Sequence, residues 1–160
     1  MNDSRALLLA WRWLSPLPGG RWIFGRLVHR RASYLRSLGV QFVEVRAGKV
    51  ELMLPRRRAL QHGDGSLDLL ALADAGTLAA ATVALVTAPP THESSIRALQ
   101  AELVKNARSD ARVIAELELL PVLGDLATVP IGVMAFDAEG EAVVRLTVQV
   151  RFSRRAGQPR

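Results

Sequence analysis

Between Leu69 and Val86 the chain reads LLALADAGTLAAATVALV, an apolar run in which Asp74 is the one charged residue. A helix that is apolar on every side has no face for water, so it is enclosed by protein or inserted in lipid. The run reaches only the lower edge of a membrane span. Asp74, Gly76 and the many alanines would make poor lipid contacts, and no cationic anchors flank it closely. These features predict a buried central helix. A flat sheet covers one stripe of a helix, so hiding the whole circumference requires a sheet that curls around it.

The flanking sequence supplies strands for such a sheet. Val40 to Ala47 and Val50 to Pro55 read as a hairpin turning at Ala47-Gly48-Lys49, with Val43 and Val45 facing away from Gln41, Glu44 and Arg46. Arg56-Arg57-Arg58 after it reads as solvated surface. Ala88-Pro-Pro-Thr91 stops the central helix, and the period then falls to two. Leu99, Ala101 and Leu103 alternate with Gln100 and Glu102, and Val113, Ala115, Leu117 and Leu119 alternate with Arg112, Glu116 and Glu118. Val129, Ile131, Val133 and Ala135 form a third series, which turns at Asp137-Ala-Glu-Gly140. The last strand alternates Val144, Leu146, Val148, Val150 and Phe152 with Arg145, Thr147, Gln149 and Arg151.

Ahead of the hairpin, Ser4 to about Leu14 and Trp22 to about Leu38 read as helices separated by a break at Pro16 to Gly20, with Gly39 in the stop position. The second sets Trp22, Ile23, Leu27 and Tyr34 among Arg21, Arg26, Arg30, Arg31 and Arg36. Such a helix either lies on a membrane surface or docks on its own domain with a solvated arginine face, and we expect the latter. The expected class is α+β, with a helical extension over residues 1–38, one domain over 39–153 and a loose basic tail over 154–160.

A length of 160 residues suits one domain of ordinary size. The net charge of +6 favours anionic partners, unless arginine simply replaces lysine, since Lys49 and Lys105 are the only lysines. The absence of cysteine excludes disulfides, a thiolate nucleophile and cysteine-held metals. Asp3 ahead of a short apolar stretch argues against a secretory signal, so a cytoplasmic location is expected. A single Tyr and no basic strand with interleaved aromatics argue against nucleic-acid binding. His29, His62 and His92 lack metal-ligand spacing, and no metal is expected.

Three stretches point to a family. They are Gln61-His-Gly-Asp-Gly-Ser-Leu-Asp-Leu-Leu-Ala-Leu-Ala-Asp74 opening the helix, Leu99-Gln-Ala-Glu-Leu-Val-Lys-Asn-Ala107, and the final alternating strand. In this order they resemble the hotdog superfamily over about Leu38 to Phe152, and look most like hotdog proteins known only as a domain of unknown function, neighbours of the PaaI-like acyl-CoA thioesterases. The resemblance implies a sheet wrapped around a central helix and a homodimer, or a tetramer built from it, with the site at the subunit interface. It also implies hydrolysis of an acyl-CoA or acyl-carrier-protein thioester, with coenzyme A only as part of the substrate. A non-catalytic hotdog that binds acyl chains or serves as an interaction module is the other expectation.

Two registers of the resemblance compete. In one, Gly65-Ser66-Leu67 takes the place of the family's His-Gly-Gly, and Leu72-Ala73-Asp74 matches its Leu-Ala-Asp, whose acid is catalytic. In the other, which needs no gap out to Ala107, Asp68 stands where the family has His and Thr77 where it has the catalytic Glu. The resemblance thus offers Asp74, Thr77 and Asp68 as catalytic residues.

Free amides at Gly65, Ser66 and Leu67 at the positive end of the helix would suit a developing oxyanion, with His62 positioning substrate. A plain serine cap is the structural alternative there. Asp74 reads either as a base or as a buried structural acid, and Asp68 as a first-turn acid facing the helix dipole. Ser66 and Asp74 lie about 12 Å apart along a helix axis, so they would meet one carbonyl only across a two-fold axis. Lys105, Asn106 and Arg108 are the candidates for coenzyme A phosphates.

Overall fold

A computed structural model of the chain describes residues 3–29, 37–117 and 125–155. Two helices, α1 (Asp3–Leu14) and α2 (Gly20–His29), precede a hairpin of β1 (Gln41–Arg46) and β2 (Lys49–Leu54). The central helix α3 (Leu69–Thr87) follows, and then β3 (His92–Leu103), β4 (Ala111–Glu116), β5 (Leu126–Phe136) and β6 (Ala142–Arg154). All pairings are antiparallel, in the order β1-β2-β4-β5-β6-β3.

α3 touches all six strands. Leu72, Ala75, Ala79, Ala80, Val83 and Ala84 are fully enclosed, as the all-round apolar pattern requires. By length and hydropathy this helix could cross a membrane, but 67% of its apolar window is buried inside the domain. Alanine and glycine permit a close approach of helix and sheet: a Cβ on Gly76 would stand 2.9 Å from Leu146 Cδ1. The sheet side of this core is the alternating series of β5 and β6, with Ile131, Val133, Ala135, Val144, Leu146, Val148, Val150 and Phe152 all buried.

Several details differ from the sequence reading. In β1 it is Phe42 and Val45 that are buried, because a bulge at Val43 shifts the register and lets residues three apart share one face. β3 begins at His92, well before the alternation at Leu99, and ends at Leu103. It is an edge strand, exposed along most of its length, so burial imposes no period on its first half. α2 begins at Gly20; the expected continuation through residues 30–36 lies outside the described residues, as does Leu119. Arg154 still belongs to β6 and the Arg155 amide donates to Thr91 O, so these two residues are not part of a loose tail; the rest of the expected tail lies outside the described residues.

The helix pair is fastened by an aromatic column. Phe24 of α2 is fully buried and meets Trp11 of α1 and Phe42 of β1 edge-on, with centroids 5.0 and 5.1 Å apart.

Candidate active site on the central helix

α3 is enclosed except along one stripe. Leu70, Asp74, Thr77, Ala81 and Leu85, spaced four, three, four and four, are its partly or fully exposed members on that side. Both residues singled out by the competing registers therefore share the accessible face. Their surroundings differ. The Thr77 hydroxyl donates to Ala73 O at 2.7 Å, closing back on the preceding turn. Asp74 is half-buried, and no hydrogen bond or ion pair to its carboxylate occurs among the described residues. Burial pushes its carboxyl up from the ordinary value, because desolvation penalises the charged form.

The helix opens three residues later than the first register requires. Asp68 is the cap, with extended backbone, and its carboxylate accepts from the Leu70 amide at 2.7 Å and pairs with His62 Nδ1 at 3.3 Å. The Leu70 amide first, and then His62, hold the Asp68 carboxyl below its ordinary value. These bonds make Asp68 the N-terminal cap of α3.

The amides expected to be free are engaged. Gly65 N–H donates to His62 O at 3.0 Å, Ser66 N–H to Asp64 Oδ1 at 3.0 Å, and Leu67 N–H to Ala107 O at 2.8 Å. They belong to a folded turn ahead of α3 rather than to its first turn, which is why the helix-dipole argument does not reach them. Gly65 has φ +82, a left-handed conformation that favours glycine. The Ser66 hydroxyl donates to Asp64 at 2.6 Å, so no Ser-His-Asp relay forms with His62.

The residues expected to meet coenzyme A phosphates separate. Lys105 Nζ donates to Asp137 Oδ2 at 2.9 Å and also to Glu141 Oε2, and these two carboxylates raise its pKa. Its charge is paired at the β5–β6 turn. Asn106 and Arg108 are exposed, and Arg108 lies 3.8 Å from Asp64, beside the turn that opens α3.

Arg56 was missed by sequence reasoning. Its guanidinium donates twice to Gly65 O, at 2.9 and 3.1 Å, and its amide donates to Asp110 at 2.7 Å, tying the turn to the loop before β4. The only signal was the arginine run, which carries no record of a partner nine residues on. A separate groove of about 780 Å³ lies on the outer face of the sheet, over Gly132 between Ile114, Pro130, Met134 and Thr147. The sheet separates it from α3 and hence from Asp74.

Residues 20–152 match the family described as a domain of unknown function, DUF4442. The chain belongs to this family. Its match opens on the first residue of α2, so the DUF4442 unit includes the helix whose Phe24 anchors the aromatic column. The fold is the hotdog fold, shared with solved structures. A crystal structure of a genomics target superposes with a TM-score of 0.80 at 24% identity, covering 96% of this chain and 99% of that one. A Pseudomonas aeruginosa protein of unknown function, described as a probable thioesterase, gives 0.73 at 17% identity over 81% and 92% of the two chains. A thioesterase family protein from Silicibacter pomeroyi gives 0.67 at 20% identity over 81% and 96%. No curated protein matches the chain significantly.

Proposed function

We propose that the protein hydrolyses acyl thioesters, carried on coenzyme A or on a carrier protein, as a two-fold dimer in the cytoplasm. One observation carries this reading: on the accessible stripe of an otherwise enclosed helix stands a half-buried carboxylate, Asp74, with a raised pKa and no partner among the described residues, one turn from Thr77. An unpaired, desolvated acid costs stability, and a raised carboxyl is better matched to proton transfer near neutral pH. The solved structures with this fold that are described as a probable thioesterase and a thioesterase family protein support the choice of reaction by analogy.

In the proposed step Asp74 takes a proton from water as the water oxygen bonds to the thioester carbonyl carbon. The carbon–sulfur bond then breaks, and the leaving thiolate takes up that proton, giving carboxylic acid and thiol. Thr77 has spent its hydrogen on Ala73 O, so towards the site its oxygen only accepts, and it positions the water by accepting its second hydrogen. Arg108 and Asn106, exposed beside the α3 opening, are the groups offered to the phosphates of coenzyme A.

The dimer reading rests on β3. It is a twelve-residue edge strand with Ile96, Leu99 and Leu103 exposed, followed by exposed Val104. A long apolar edge of this kind is normally paired or covered. Pairing β3 with its two-fold copy satisfies the edge and covers these apolar side chains.

Release of free thiol from a panel of acyl-CoAs and acyl-carrier proteins tests the proposal. Turnover by the parent protein that is lost in Asp74→Asn supports it. Acyl-thioester binding without release from any substrate would assign the fold to an acyl-binding module instead.

A further inference from the structure

The net charge of the chain resides in its first 40 residues. Seven arginines stand there against one acid, Asp3, whereas residues 41–160 hold fourteen basic and fourteen acidic side chains. The same stretch contains all three tryptophans, Trp11, Trp13 and Trp22.

The structure sorts these side chains into an inward and an outward set. Leu7, Trp11 and Phe24 pack towards the domain. Leu9 and Trp13 of α1, Leu17 in the connection, and Trp22, Ile23 and Leu27 of α2 face solvent, with Trp13 at 74% and Trp22 at 66% exposure. They make up six of the twelve exposed large hydrophobic side chains among the described residues, so the apolar exposure is concentrated on one helix pair. Exposed Arg12, Arg21 and Arg26 are interspersed with them, and the Arg26 guanidinium lies 4.9 Å from the Trp22 ring centre. Where α2 meets the start of β1, a cleft of about 460 Å³ is lined by Arg21, Trp22, Arg26 and Arg57, and among the described residues no acid lines it.

We propose that this helix pair docks the protein onto the surface of an anionic phospholipid bilayer. Tryptophan favours the boundary between headgroups and acyl chains, the aliphatic side chains suit the outer acyl layer, and arginine binds phosphate oxygens with charge-assisted hydrogen bonds. The aromatic column through Phe24 keeps the pair attached to the domain, so docking leaves the fold intact. A second copy is disfavoured on this face, because two-fold contact would set arginine against arginine with Asp3 as the one acid of the stretch to compensate seven cations. The proposal does not rest on the catalytic reading of Asp74.

Vesicle flotation of the full chain tests it, comparing pure phosphatidylcholine with phosphatidylcholine mixed with phosphatidylglycerol. Binding is expected only to the anionic vesicles and should fall as salt is added. Brominated acyl chains should quench the tryptophan emission. Each cation beside an anionic surface contributes roughly fivefold to binding, so Arg12→Gln/Arg21→Gln/Arg26→Gln is expected to bind roughly 100-fold more weakly. Trp13→Ser/Trp22→Ser should lose the quenching. All these side chains are exposed, and an unchanged melting curve verifies that the variants are folded. Failure of the parent to float with anionic vesicles at low salt, or equal binding by the arginine variant, overturns the proposal. A change of oligomeric state in the tryptophan variant, with no vesicle binding by the parent, assigns the face to a protein partner and also overturns it.

Discussion

Asp74→Asn is expected to change activity and stability in opposite directions. The carboxylate has no hydrogen-bond or ion-pair partner among the described residues, and burial raises its pKa above the ordinary 3.8. A carboxyl raised in the folded state favours folding in its protonated form. That contribution is complete below 3.8 and is lost as pH rises through the folded value, so at neutral pH the ionised group works against the fold.

Asparagine keeps the size, removes the charge and abandons no partner. Denaturant titrations should therefore find the variant more stable than the parent at neutral pH, with the difference closing in acid. Thiol release should fall by about 100-fold or more, on the order of 2.7 kcal/mol of transition-state stabilisation. A structural acid held by hydrogen bonds would instead cost about 1–3 kcal/mol of stability on replacement. An Asp74→Asn protein that is less stable at neutral pH, or that turns over as fast as the parent, refutes the assignment. If Thr77→Ala alone abolished turnover, the register that places Thr77 at the catalytic position would stand.

Asp68→Ala removes the α3 cap and should cost about 1 kcal/mol at neutral pH. The Leu70 amide lowers the folded pKa of Asp68, so its contribution is present above 3.8 and lost as pH falls through the folded value; urea melts of parent and variant should converge in acid. Lys105→Met strips buried Asp137 of its ammonium partner, so the melting temperature should drop while KM for acyl-CoA stays put. A raised KM with unchanged melting would return Lys105 to the phosphate site. Charging the β3 edge with Leu99→Lys/Leu103→Lys should yield a monomer by light scattering and abolish thiol release; a dimer that persists places the interface elsewhere.

The elements legible in the sequence are those whose pattern reports their own burial. α3 is apolar at every angle, and that alone implies a curled sheet. β5 and β6 alternate because one face of each lies on α3. Asp74 stood out as the one charge in an apolar run.

Edges and partners were not legible. The first half of β3 shows no period because most of it is exposed, and the bulge in β1 exchanged Val43 for Phe42 on the buried side. Among the candidate site residues, which polar groups stay free was decided by the folded turn ahead of α3 and by contacts across the fold. Gly65, Ser66 and Leu67 looked free at a helix start until the turn and Ala107 claimed their amides; Lys105 looked available until Asp137 and Glu141, more than thirty residues on, paired with it at the surface. Side-chain type and periodicity are local properties, whereas whether a polar group keeps a free donor or acceptor depends on which distant residues the fold places beside it.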